Sequence, residues 1–257
     1  IDTSLGSVDR MIQNISNKYC SKTEQQKQME LLTKINEIHK QNLKKDEALD
    51  ARIKSFELAF RMQTEATDVF DISKEPQKIK DMYGNSSQGK QMLIARRLAE
   101  KGVRFIQVWT GGWDTHNALS TSVRNAANQV DGPLAALVQD LKDRNMLDET
   151  LIVCVGEFGR TPARDGEGGA NGYGRSHWNR AMSAVLIGGG VKGGTVYGKT
   201  DEFGYSIVEN KMDIHDFHAS ILYGMGFDHR KLEYIYNGRP MRLTDVSDKE
   251  PVKELFA

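Results

Sequence analysis

The chain has 257 residues, with 35 Lys+Arg against 35 Asp+Glu and a formal net charge of zero. No basic surplus argues for nucleic acid, and no run approaches the ~18 apolar residues of a membrane span. The length allows one large or two modest domains with a sizeable core.

The first residue is Ile1, with no initiator Met and no signal-peptide pattern, so a fragment or a processed chain is expected. Residues 4–66 carry little Gly or Pro and read as helical. Met29, Leu32, Ile35, Asn36 and His39 follow helical spacing, and Ile53, Phe56, Leu58, Ala59, Phe60 and Met62 make a stronger apolar face. From Asp71 to Gly89 the signals are turns. Lys90 to Lys101 reads as a helix with Leu93, Ile94 and Leu98 inward and Gly102 as its C′ residue. This places a helical region over 1–89 and an α/β core over 90–257.

The core opens on the apolar run 103–109, expected as a largely buried strand. Two glycines follow, then Asp114 and His116. Residues two apart in an extended segment share a face, so a carboxylate and an imidazole project together. Ser120 to Asn145 is helical, with Leu134, Leu137, Val138 and Leu141 inward and Pro133 kinking it or starting its second half. Residues 151–155 read as a second buried strand, with Cys154 as a buried free thiol. Cys20 is the other cysteine, and two cysteines do not decide the compartment. Pro162 to Ser176 is a glycine-rich loop, long enough to suggest function. Residues 181–187 make a third apolar strand. Asp216 is expected to cap a helix from Phe217 to about Met225. Strands alternating with helices predict an α/β protein with a mainly parallel sheet.

Four potential ligands stand at strand ends or just beyond them: Asp114, His116, Glu157 and His177. Two carboxylates and two imidazoles suit Zn or Mn, and a carboxylate-rich site takes Ca or Mg. Arg160 and Arg175 flank them, and a guanidinium beside a metal clamps phosphate or sulfate. Taken singly, Glu157 reads equally well as an ion-pair partner of Arg160, and His177 as a hydrogen-bonded loop residue. The stretch 188–193 fits G-x-G-x-x-G, but no helix pattern or distant acidic residue follows, so it reads as a turn rather than a dinucleotide site. His215 and His218 at a helix start read as structural or supporting residues.

Several motifs carry a family resemblance: Trp113-Asp-Thr-His, Leu147-Asp-Glu-Thr-Leu-Ile-Val, Gly156-Glu-Phe-Gly-Arg-Thr-Pro, Gly190-Val-Lys-Gly-Gly, Asp201-Glu-Phe-Gly and Asn237-Gly-Arg-Pro. Arg61-Met-Gln-Thr-Glu-Ala and Ala95-Arg-Arg-Leu fit it too. Together they resemble the bacterial domain-of-unknown-function 1501 family, whose sulfatase-like members look related to the alkaline phosphatase superfamily. The resemblance implies a three-layer α/β/α sandwich and a divalent-metal site acting on small-molecule sulfate or phosphate esters. Asp114 and His116 resemble the superfamily's Asp/His ligand pair, and His177 its late His ligand. Glu157 falls where the superfamily has an Asp-His pair, with Phe158 in place of the His.

The superfamily's first strand, with a ligand Asp and a nucleophilic Ser, Thr or modified Cys soon after, has no counterpart here. The resemblance therefore implies the C-terminal part of a longer protein, with the nucleophile upstream of Ile1 and little activity in this chain alone. It also implies a periplasmic or secreted location and leaves a homo-oligomer open. The alternative expectation is a non-catalytic binding or structural module that keeps the fold.

Overall fold

Capping chemistry sets the helix limits in the first half of the chain. In the computed structural model the described residues are 8–12, 17, 19–42, 53–55, 57, 60, 67–164, 172–245 and 249–257. Two compact units result, Ile1–Trp109 and Thr110–Ala257. The first contains α1 (Val8–Met11), α2 (Lys22–Asn42), α3 (Gln77–Tyr83) and α4 (Ser87–Glu100). A capping box starts α2: the Ser21 N–H donates to Glu24 Oε2 at 2.8 Å, and the Ser21 hydroxyl accepts from the Glu24 N–H at 3.3 Å. Leu32 and Ile35 on its apolar stripe remain exposed. The expected apolar face from Ile53 to Met62 and the motif from Arg61 fall largely outside the described residues.

The turn expected over Asp71–Gly89 is corrected by α3. Pro76 and Gly84 bound this helix instead of belonging to one long turn. Helix α4 ends as its sequence predicts. The Gly102 N–H donates to Ala99 O and the Val103 N–H to Leu98 O, with Gly102 at φ 79°. This is a Schellman motif, which needs the left-handed conformation that glycine adopts without strain.

Helix α4 lies within the first unit, Ile1–Trp109. The reason is a buried ion-pair network. Arg96, only 2% exposed, lies 2.8 Å from Glu75 Oε2 and 2.6 Å from Glu100 Oε2. Arg97 also pairs with Glu75 and donates to Val69 O and Asp68 O, both at 2.7 Å. Burial by itself raises the Glu75 carboxyl, but the bonds from Arg96 and Arg97 outweigh it and hold the group below its ordinary value. Val69, Phe70, Tyr83, Met92, Leu93 and Ile94 pack the apolar core of this unit.

The segment 103–109 is not a strand, which corrects the expectation that it is largely buried. Val103 is 41% exposed, Phe105 79% and Trp109 76%. An apolar run becomes a strand only where a neighbour completes its ladder, and the described residues supply none.

In the second unit α5 (Leu119–Asp143) runs through Pro133 without ending there. Four antiparallel pairs follow: β1 (Ile152–Cys154) with β4 (Val185–Ile187), β2 (Gly159–Arg160) with β3 (His177–Trp178), β5 (Lys199–Thr200) with β6 (Ile207–Glu209), and β7 (Glu233–Tyr236) with β8 (Arg239–Arg242). The chain is therefore mixed α/β, and the parallel pairing expected of 151–155 and 182–187 is replaced by an antiparallel one. Parallel sheets need both faces covered. Here Cys154 is exposed, not buried, and Val185 is 53% exposed.

Helix α6 (Ile214–Gly224) starts one turn earlier than expected. Asp213 is the cap, and Asp216 closes the capping box from the third position. The glycine-rich stretch 188–193 is a turn, with Gly188, Gly189 and Gly190 at φ 71°, 54° and 76°. Its backbone is engaged by the last residues of the sequence: the Lys192 N–H donates to Leu255 O at 2.8 Å and the Ala257 N–H to Gly190 O at 2.9 Å. No described helix is long and apolar enough to cross a membrane.

Candidate metal centre

Two short backbone segments bring the site together. In the first, Thr115 is buried and its carbonyl accepts from the Arg175 N–H at 2.9 Å. With Thr115 turned inward, Asp114 and His116 on either side face outward together, as the two-residue spacing predicts. In the second, β2 and β3 pair so that Arg160 stands opposite His177 and Gly159 opposite Trp178. Directly opposed residues project from the same face of a two-stranded pair. The Thr161 N–H extends the pairing to Ser176 O at 2.9 Å, and the Ser176 N–H donates to Thr161 Oγ1 at 3.0 Å. On the far face, the Trp178 indole donates to Tyr205 O at 2.9 Å.

Asp114 Oδ1 is the point of convergence. It lies 3.0 Å from His177 Nε2, 3.1 Å from His116 Nε2 and 2.8 Å from Arg160 Nη2. The two imidazole Nε2 atoms are 3.2 Å apart. The His177 bond first, then the Arg160 bond, holds the Asp114 carboxyl down at about 2. Phe158 packs its ring 4.3 Å from that of His177, and the Arg160 guanidinium lies 5.9 Å from the Phe158 centroid. Arg160 is thus held beside both His177 and Asp114.

Asp114, His116 and His177 each offer one ligand atom, and these atoms lie within 4.8 Å of one another. Six-coordinate ions with bonds of about 2.1 Å have ligand–ligand edges of about 3.0 Å, and four-coordinate ions edges of about 3.4 Å. The triangle of 3.0, 3.1 and 3.2 Å already has the size of a coordination face. One carboxylate and two imidazoles are a donor set for a divalent transition ion or zinc.

Glu157, the fourth expected ligand, is exposed and stands outside this group. Arg160 pairs with Asp114, not with Glu157. Arg175 is the less direct of the two expected anion clamps, because its Nη1 donates to Thr161 O at 3.2 Å. His215 lies 3.6 Å from the α6 cap Asp213, in keeping with a structural role.

Gly174 went unnoticed in the sequence except as part of a glycine-rich loop. A Cβ there would stand 1.8 Å from the His116 carbonyl carbon and 2.4 Å from Asn117 N. Only a residue without a side chain lets this loop touch the backbone that carries His116. Gly174→Ala should destabilise the second unit by about 1–3 kcal/mol and weaken the closure of the triad. Thermal melts with and without Zn²⁺ measure both effects. An unchanged melting temperature would show that the loop does not hold His116 in place.

Comparison with curated proteins and with solved structures finds no match. A family model described as "Protein of unknown function (DUF1501)" matches residues 2–256, taking in the helical unit as well as the triad. The chain belongs to that family.

Proposed function

We propose that this protein is a metal-dependent hydrolase of sulfate or phosphate esters. The observation that carries this reading is one carboxylate oxygen met by two imidazoles and a guanidinium. A divalent ion bound there would polarise an ester oxygen and lower the pKa of the attacking group. His116 and His177 donate ring nitrogens, and Asp114 supplies the negative charge. Arg160 is placed to bind the anionic oxygens of the transferring group as charge builds on them. Phe158 shields one face of His177 from water.

The test is metal analysis of purified full-length protein together with a panel of aryl sulfates and phosphates. A stoichiometric divalent ion with turnover that requires it is the expected result. No bound ion, and no turnover on adding Zn²⁺, Mn²⁺, Mg²⁺ or Ca²⁺, would sink the reading.

One observation favours a second reading, a non-catalytic binding module. The side chains of Asp114, His116 and His177 are 68%, 42% and 50% exposed. Active sites usually exclude water from their charges. Binding of the ion and of phosphate without turnover would select this second reading.

A further inference from the structure

A divalent ion and a guanidinium compete for the same oxygen in this site. Asp114 Oδ1, the carboxylate atom that closes the triad, already accepts from Arg160 Nη2 at 2.8 Å. Both imidazole nitrogens also lie within 3.1 Å of it. An ion bound to Oδ1 takes the position where the guanidinium charge now acts, and two like charges at that separation repel. We propose that Arg160 is a built-in competitor for the cation, and that displacement from Asp114 turns it into the receptor for an oxyanion. This rests on the metal-site reading above and adds to it a coupling between the two ligands.

The surroundings of Arg160 say where the displaced group goes. Its backbone is fixed in β2 opposite His177. Its Nη1 lies 3.4 Å from Arg175 O, and its guanidinium carbon lies 5.9 Å from the Phe158 ring centroid. Neither contact involves Asp114, so both persist when the ion pair breaks. The guanidinium then stays beside the triad with the Nη2 donor released from Asp114. A planar fork of N–H groups next to a divalent ion matches a tetrahedral oxyanion such as phosphate or sulfate. Such an anion cancels the repulsion between the two cations, so each ligand tightens the other by the same factor. The ion pair to Asp114 is made by Arg160 and not by Arg175, whose Nη1 donates to Thr161 O at 3.2 Å.

The experiment measures Zn²⁺ and Mn²⁺ affinity by competition with a chromophoric chelator, for the wild type, Arg160→Gln and Arg160→Lys. Arg160→Gln should bind either ion roughly tenfold more tightly than wild type, within the usual range of a coupling between sites. Arg160→Lys keeps the charge and should stay near wild type. Inorganic phosphate should tighten ion binding by wild type about fivefold or more, and leave Arg160→Gln unaffected. Equal or weaker ion binding by a folded Arg160→Gln overturns the proposal. Should that variant fail to fold, the phosphate effect on wild type decides, and its absence overturns the proposal. If neither wild type nor any variant binds either ion, the metal-site reading fails and this inference with it. If all bind equally and phosphate has no effect, the metal site stands and only the coupling falls.

Discussion

Asp114→Asn should lower divalent-cation affinity by at least about a hundredfold, since changing groups that merely support metal ligands already costs 10–100-fold. Asn keeps the shape and the amide oxygen but removes the charge on which two imidazoles and Arg160 converge. The fold should be little affected, because the Asp114 side chain is 68% exposed. Chelator competition and a thermal melt separate the two effects. Unchanged affinity in the variant would remove Asp114 from the site. The pH dependence follows from the same contacts. A carboxyl held at about 2 is ionised throughout the working range. Its pairing is fully present above the ordinary carboxylate range near 3.9 and is lost only as pH falls through about 2.

Glu75→Ala should destabilise the helical unit by about 3–5 kcal/mol, the cost of leaving a buried charge without its partner. Glu75 is 7% exposed and serves both Arg96 and Arg97. Removing it takes from Arg96, 2% exposed, the carboxylate 2.8 Å away, while Glu100 stays at 2.6 Å. The sign of the pH effect is fixed by the lowered Glu75 carboxyl. Its contribution is present above the ordinary glutamate range and declines as pH falls through the lower folded value. Hydrogen exchange along α4 measures the loss within the unit concerned, and urea unfolding by circular dichroism gives the whole. A variant with native protection in α4 would show that the network is not what holds 67–75 to this helix.

The local rules were the legible part of the sequence. The Gly102 stop, the extent of α5 and the outward pairing of Asp114 with His116 each depend on a few consecutive residues and on steric limits that hold in any fold. Long-range pairing was not legible. The runs 151–155 and 181–187 show apolar character but not direction, and β1 and β4 run antiparallel. The run 103–109 shows strand composition, but a ladder is a property of two segments. The site divides the same way. The sequence names Asp114, His116 and His177 as candidates, and β2–β3 register then aligns Arg160 with His177. That register also determines that Arg160 meets Asp114 and not Glu157, a choice no spacing along the chain contains.

Helix α5 begins without a side-chain cap, at Ala118 with φ 47°. The Leu119 N–H is satisfied instead by Tyr173 O at 3.0 Å, from the loop whose Gly174 lies against the His116 backbone. The helix therefore borrows its first acceptor from the candidate site. Opening of the 172–175 loop breaks that bond, so the protection of this amide reports the opening equilibrium of the loop. A ligand that clamps the triad should slow deuterium uptake at Leu119, making one backbone proton a label-free gauge of occupancy.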